Sequence, residues 1–237
     1  YEITYGDWSS DVCSSDLVNY RANIAALKML GASDVLSISA VGGLREELPP
    51  GTFVVVDQFI DRTFAREKSF FGNGLVAHVS LADPVSPALV DLVEAATRSA
   101  GIPFRRGGTY LAMEGPQFST RAESQMYRSF GASVIGMTNL PEAKLAREAE
   151  LPYATLALAT DYDCWHESGE PVNVEAVVAV LKKNVALAKR TIAELSRALP
   201  DPRESPASTA LAGAIMTDNA AVPADVRARL GWLIPGL

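Results

Sequence analysis

Residues Tyr153 to Asp163 read YATLALATDYD, an almost uninterrupted apolar run followed by a turn with two acids. The run through Ala159 lacks the alternation of a strand with one wet face, so it predicts a strand covered by helices on both sides. In open α/β sheets, ligands bind beyond the carboxyl ends of the strands. The turn Thr160-Asp161-Tyr162-Asp163 is therefore the first candidate site.

Helical and strand patterns alternate on both sides of this run, and their ends carry recognisable stop and cap residues. The further predicted strands are Val35 to Ala40, Thr52 to Val56, Gly108 to Met113 and Val134 to Gly136. The predicted helices are Val18 to Leu30, Ser86 to Ala100, Thr120 to Phe130, Pro141 to about Glu150, Asn173 to about Ala198 and Ala224 to Leu230. This alternation predicts an α/β fold with a mixed, largely parallel sheet flanked by helices.

Two segments stand apart from the pattern. Residues 1–17 include DWSSDVCSSDL at Asp7 to Leu17, a near repeat without apolar periodicity. It resembles a translated sequencing adapter, so we expect a foreign, unstructured segment in place of a native N-terminus; an ordinary polar loop is the alternative. Three prolines between Pro200 and Ser208 predict that a single domain spans 18–200, with an incomplete N-terminus, and that 201–237 form a helical appendage.

The composition narrows the class of protein. Of 237 residues, 48% are hydrophobic and the net charge is −7, which argues against disorder and against a nucleic-acid partner. Apolar runs are too short to predict a membrane helix, and the N-terminus carries no export signal. The two cysteines and two histidines lack ligand spacing, so we expect no metal site and a cytoplasmic protein.

Four segments that follow predicted strands carry the residue types of a ligand site. They are Ser39 to Gly43, Met113 to Ser119, Gly136 to Asn139 and Thr160 to Asp163. Each alone has an ordinary structural explanation as a turn or a helix cap. Together they place small residues, a hydroxyl at a helix start and a carboxylate pair at one sheet edge. Because Walker A and G-x-G-x-x-G patterns are absent, triphosphate and dinucleotide binding lose support.

Three runs are specific enough to indicate a family. They are the residues from Glu114 to His166, which include EGPQFSTRAE and ATDYDCWH, the run SAVGGLREELPPGTFVVVDQFIDRT from Ser39 to Thr63, and VNYRANIAALK from Val18 to Lys28. They resemble the 5'-methylthioadenosine phosphorylases of the trimeric purine nucleoside phosphorylase superfamily. The resemblance implies the corresponding fold, a homotrimer, and cleavage of 5'-methylthioadenosine to adenine and 5-methylthioribose 1-phosphate. It implies no cofactor, with inorganic phosphate as the co-substrate.

The chemistry of this reaction agrees with the two acids. Breaking a purine glycosidic bond leaves positive charge on the ribose and negative charge on the base, so a proton donor is needed at N7. The resemblance makes Asp161 that donor, which requires burial to raise its pKa from about 3.9 by roughly 3 units. It makes Asp163 the acceptor from the 6-amino group, which selects adenine.

Further site residues are carried over from the resemblance. Ser39, Ala40 and Thr138 would bind phosphate, and Met137 the ribose. The purine would lie near Phe118, Ser119 and Tyr162, and the methylthio group in a slot of Val174 and Val177. His78 would reach the 5' end of a substrate bound to the neighbouring subunit.

Two parts of the resemblance leave the activity open. The family's N-terminal phosphate-binding threonine and Arg-His pair are expected upstream of Val18, so we predict weak activity or none for this chain. The alternatives are a 6-oxopurine nucleoside or methylthioinosine phosphorylase, a hydrolytic nucleosidase, and a catalytically dead fragment.

Overall fold

The computed structural model describes residues 18–166, 174–199 and 205–234. Its strands are β1 (Val35–Gly43), β2 (Phe53–Val55), β3 (Gln58–Arg62), β4 (Phe104–Arg106), β5 (Thr109–Met113), β6 (Val134–Gly136) and β7 (Tyr153–Tyr162). Its α-helices are α1 (Tyr20–Met29), α2 (Pro87–Ser99), α3 (Arg121–Ser129), α4 (Asn139–Glu148), α5 (Val174–Ala198) and α6 (Ala224–Leu230). Short 3-10 turns lie at Pro206–Thr209 and Asn219–Ala221.

The strands form one sheet in the order β3-β5-β6-β1-β7-β2-β4. The pairs β1/β7, β2/β4, β3/β5 and β5/β6 are parallel, whereas β1/β6 and β2/β7 are antiparallel. β7 lies between β1 and β2, and its residues through Thr160 are buried. The predicted α/β class with a mixed, largely parallel sheet is therefore confirmed.

Helices cover both faces of the sheet. On one face α1 packs against α4, and a core that includes Ile24, Tyr110 and Tyr153 lies beneath them. On the other face α2 and α5 pack together over β7 and a second core that includes Val93 and Leu156. Apolar side chains of residues 205–234 belong to the first core; they are Leu211, Ile215, Val222, Val226, Leu230, Trp232, Leu233 and Ile234. The predicted boundary near residue 200 remains a prediction.

Several helix ends follow their predicted signals. The Ser86 hydroxyl accepts from the Leu89 amide at the start of α2, with Pro87 in the first turn. Thr120 and Glu123 form the reciprocal capping box that opens α3. Such caps satisfy amide groups that the first helical turn cannot pair internally. The predicted helix Ala224 to Leu230 coincides with α6.

Two short strands were not predicted. β3 and β4 form the two edges of the sheet, and most of their side chains are exposed or only partly buried. An edge strand has one neighbour and needs little apolar patterning, so its sequence carries a weak signal. The predicted ends of β1 and β7 were also wrong, because pairing between these two strands continues to Gly43 and Tyr162.

A β-bulge interrupts that pairing near its carboxyl end. The register runs from Val35 opposite Tyr153 to Val41 opposite Ala159, and then Gly42 faces Asp161. Thr160 is the extra residue, and its hydroxyl oxygen lies 3.2 Å from the Val41 carbonyl oxygen. Because side chains alternate between faces along a strand, an inserted residue redirects every side chain that follows it. The bulge thus determines the direction of both acids.

Candidate active site

Both acids of the Thr160–Asp163 segment, here called the acid turn, lie against the end of β1. A Cβ atom built on Gly42 would lie 3.2 Å from Asp161 Oδ1 and 3.3 Å from the Cβ of Asp163. Both contacts are tighter than ordinary van der Waals spacing, so glycine at position 42 leaves room for the carboxyl groups. The parallel pairing of β1 and β7 brings this about, as the sequence predicted for strand ends at one sheet edge.

Asp161 has a carboxyl group that is poised to hold a proton. Burial raises its pKa from 3.8 to about 6, and the charge of Asp163 acts in the same direction. The Thr160 hydroxyl, which donates to Asp161 Oδ2 at 2.7 Å, opposes this shift. The expected rise in pKa is therefore present, although it is smaller than the roughly 3 units expected from the sequence.

Asp163 and its neighbours are held by hydrogen bonds on several sides. The Ser124 hydroxyl, on the buried face of α3, donates to Asp163 Oδ2 at 2.5 Å. The Asp163 amide donates to the Gly43 carbonyl at 3.2 Å, and the Trp165 indole donates to that same carbonyl at 2.8 Å. Burial raises the pKa of Asp163, while Ser124 and the Cys164 amide lower it. The carboxyl group is thus fixed in place and partly stabilised as an anion.

Ser39, Tyr110 and Thr138, here called the hydroxyl cluster, meet beside the middle of β1, because β6 runs antiparallel to β1 and its carboxyl end leads back to Ser39. The Ser39 hydroxyl lies 3.0 Å from the Tyr110 hydroxyl and 3.0 Å from that of Thr138. The Tyr110 oxygen also accepts from the Thr138 amide at 3.4 Å. A Cβ on Gly136 would overlap the Tyr110 hydroxyl, so glycine is required there. The predicted convergence of Ser39 and Thr138 is confirmed.

Thr138 precedes α4 and could have served only as its cap. Its side chain makes no capping hydrogen bond to the helix and instead bonds to Ser39. The capping alternative is therefore wrong. The residue is exposed, and the regular part of α4 begins only after Leu140, whose φ of −124° and ψ of 132° are not helical.

The acid turn and the hydroxyl cluster are close along one strand. Ser39 and Gly42 are three positions apart in β1, a rise of about 10 Å. Ala40, predicted to bind phosphate, lies between them and is partly buried. Carboxylates and hydroxyl donors therefore flank one short segment of β1.

Arg66 fixes the loops beside this segment. Its side chain is 3% exposed, and its Nε donates to Glu114 Oε1 at 3.1 Å. The guanidinium also donates to the backbone carbonyls of Met113, Glu114, Met137 and Leu140. These carbonyls follow β5 and β6, so one buried cation joins the two loops. Between the loops, the Met137 side chain packs against Gly115, where a Cβ would lie 2.6 Å from the sulfur.

The profile of the phosphorylase superfamily matches residues 11–197. The chain belongs to this superfamily. An S-methyl-5'-thioadenosine phosphorylase of Geobacter sulfurreducens is 57% identical over 218 residues, which cover 92% of this chain and 76% of that protein. One from Rhodospirillum rubrum is 64% identical over 184 residues, 78% of this chain and 63% of that protein. The chain thus spans less than two thirds of this second relative.

Solved structures show the same relationship. A methylthioadenosine phosphorylase sourced from an antarctic soil metagenomic library superposes with a TM-score of 0.89 at 46% identity, covering 94% of this chain and 79% of that one. A Schistosoma mansoni methylthioadenosine phosphorylase in complex with adenine gives a TM-score of 0.74 at 36% identity, covering 76% and 70%. The superfamily fold expected from the sequence is confirmed.

The residues predicted to lie near the purine are Phe118 and Ser119 in the loop after β5 and Tyr162 in the acid turn. Phe118 is 52% exposed in the loop after β5. Ser119 is partly buried, and its carbonyl accepts from the Cys164 thiol at 3.3 Å, which joins this loop to the residue after the acid turn. Tyr162 donates its hydroxyl to the Glu46 carbonyl, and its ring stacks on His166 at 4.4 Å.

His78 lies outside the acid turn and the hydroxyl cluster. It is exposed, its amide donates to the Ala214 carbonyl, and it lines an open groove of about 420 Å³ together with Arg147 and Thr209. Its contact with a neighbouring subunit remains a prediction. Val174 and Val177 fall in the first turn of α5, but their side chains lie outside the described residues.

Three residues with clear roles in the geometry were missed from the sequence. Tyr110 lies within a predicted strand, and only its hydroxyl at a buried position could have marked it. Ser124 lies one helical turn before Tyr127 on the buried stripe of α3, and a serine on such a stripe is an available signal. Arg66 lies in a loop of ordinary composition and gave no signal.

Neither a metal centre nor a membrane span is found in the described part of the chain. Within these residues, no three His, Cys, Asp or Glu side chains form a group that could hold a metal ion. No helix among them is long and apolar enough to cross a bilayer.

Proposed function

We propose that this chain cleaves 5'-methylthioadenosine with inorganic phosphate, giving adenine and 5-methylthioribose 1-phosphate. The observation that carries the proposal is the placement of the two acids and the hydroxyl cluster three positions apart along β1. The names of the relatives from Geobacter sulfurreducens and Rhodospirillum rubrum support the same substrate.

On the base side, Asp161 donates its proton to N7 of the purine. The bond between C1' and N9 breaks, its electron pair moves into the purine, and the N7 proton neutralises the developing charge. With a pKa of about 6, Asp161 is partly protonated near neutral pH. A purine lying over the acid turn excludes water and raises that pKa further. Asp163 accepts a hydrogen bond from the 6-amino group.

On the phosphate side, the dianion binds where neutral donors converge. The hydroxyls of Ser39 and Thr138, with amides of Ala40 and of the α4 N-terminus, supply hydrogen bonds to it. One phosphate oxygen forms the new bond to C1' while the purine leaves. Met137, fixed by Arg66 through its carbonyl, packs against the ribose.

The remaining assignments rest on the family resemblance. Phe118, Ser119 and Tyr162 contact the purine, and Val174 and Val177 form the slot for the methylthio group. His78 reaches the 5' end of the substrate of a neighbouring subunit, which requires the proposed homotrimer. The reaction takes place in the cytoplasm and uses phosphate without another cofactor.

Adenine release from 5'-methylthioadenosine tests this function directly. We expect at most slow release by the chain in phosphate buffer, in line with the weak activity predicted from the sequence, and none when phosphate is replaced by an unreactive buffer. Equal release without phosphate would identify a hydrolase. Faster turnover of 5'-methylthioinosine would identify a 6-oxopurine enzyme instead. No release with either substrate would show that this chain is not an active phosphorylase.

A further inference from the structure

We infer that Ser124 is a positioning residue that sets purine selectivity by holding Asp163 as a hydrogen-bond acceptor for a 6-amino group. The inference rests on the proposed function of Asp163. In this scheme Ser124 does not touch the substrate. It acts through the Asp163 carboxyl group, to which its hydroxyl is bonded.

The geometry gives Ser124 a single partner of functional interest. It is fully buried on α3, and its hydroxyl donates to Asp163 Oδ2 at 2.5 Å. The capping box formed by Thr120 and Glu123 fixes the start of that helix. Because one oxygen of the carboxylate already accepts from Ser124, the carboxyl plane is fixed, and the carboxylate keeps lone pairs that can accept from a further donor.

The hydrogen bond also favours the charged form of Asp163. A donated hydroxyl stabilises a carboxylate and disfavours the protonated acid, which would offer a donor instead of an acceptor. Burial and the nearby Glu123 act against ionisation, and Ser124 and the Cys164 amide counter them. An ionised Asp163 attracts a 6-amino group and repels a 6-oxo group, so the serine strengthens the selectivity for a 6-aminopurine.

A purely structural role would have a different signature. Tyr127 and Ser124 share the buried face of α3, so a loosened helix would weaken all purine binding alike. Ser133 is a comparable buried serine, 4% exposed, in the turn before β6. Its replacement by alanine supplies a matched control for loss of a buried hydroxyl.

The test compares adenine with hypoxanthine by titration calorimetry and 5'-methylthioadenosine with 5'-methylthioinosine by initial rates. For Ser124→Ala we expect the adenine-to-hypoxanthine affinity ratio and the matching kcat/KM ratio to fall about tenfold, the effect of losing one hydrogen bond to a charged group. Ser124→Thr, which keeps a hydroxyl, should retain most of the ratio, and Ser133→Ala should leave it unchanged.

The outcomes separate this inference from the function on which it rests. A Ser124→Ala protein that loses affinity for both bases equally would show a structural role and overturn the inference. Should Ser124→Thr fail to fold, Ser124→Cys, a weaker donor, is expected to give an intermediate ratio. Wild-type protein that binds adenine but releases none from 5'-methylthioadenosine contradicts the proposed function and leaves the selectivity test intact. Wild-type protein that binds neither base contradicts both.

Discussion

The acid turn and the hydroxyl cluster both lie along β1 but bring together different kinds of polar group. In the acid turn, burial holds two carboxyl groups close together and raises the pKa of each. In the hydroxyl cluster, neutral groups from β1, β5 and the segment after β6 form hydrogen bonds with one another. Under the proposed function, the first group moves a proton, and the second exchanges its internal hydrogen bonds for those of an anion.

The two groups differ in their free-energy cost to the folded chain before a ligand binds. The charged pair is costly in the folded chain before any ligand binds, because the carboxyl groups have lost water. The hydroxyls are already satisfied, so their rearrangement toward phosphate changes the free energy little. Substitutions in the acid turn should therefore affect both catalysis and stability, whereas substitutions in the hydroxyl cluster should affect mainly phosphate binding.

The largest effect is expected for Asp161→Asn on turnover. Asparagine can still donate a hydrogen bond to N7 but cannot transfer a proton. We expect kcat to fall by about 10²- to 10⁴-fold, the usual contribution of a general acid. Initial rates at saturating phosphate measure this. Asp57→Asn, a change at an exposed carboxylate that accepts from the Gly108 amide, is the control and should retain full activity.

The same substitution should increase stability above pH 6. Asp161 has a folded pKa of about 6 against the ordinary aspartate value of 3.8, so the folded state holds the proton more tightly. The cost is absent below about pH 4, grows between pH 4 and 6, and is complete above that, at about 3 kcal/mol. Relative to wild type, Asp161→Asn should gain this amount as the pH rises. Urea unfolding from pH 4.5 to 7.5 tests it, and parallel stability curves would contradict the assignment.

A smaller effect is expected in the hydroxyl cluster. Ser39→Ala removes one neutral donor, so the KM for phosphate should rise about 3- to 10-fold while nucleoside affinity is preserved. Phosphate titrations at saturating nucleoside measure the change. Thr97→Val removes a comparably buried hydroxyl from α2, which donates to the Val93 carbonyl, and should not alter phosphate KM. A rise in KM for the nucleoside alone would place phosphate elsewhere.

The sequence predicted those parts of the site that local signals specify. The apolar run before Asp161 indicated a buried strand, and the contact between Ser39 and Thr138 was predicted, although it arises from the antiparallel pairing of β1 and β6 and not from strand ends at one edge. Ser124 and Tyr110 could not be placed, because their partners lie 39 and 71 residues away in sequence. Arg66 donates to the Leu140 carbonyl, 74 residues away in sequence. Hydrogen bonds of this kind depend on tertiary packing, which periodicity does not encode.

Because of the bulge at Thr160, the number of residues in β7 determines where the two acids point. Deleting this one residue would let β1 and β7 pair regularly to their ends, with an uninterrupted ladder of hydrogen bonds. The same deletion would turn Asp161 and Asp163 toward the opposite side of the sheet. Homologous chains could therefore keep every chemical group of this turn and still lose the reaction through a single missing codon.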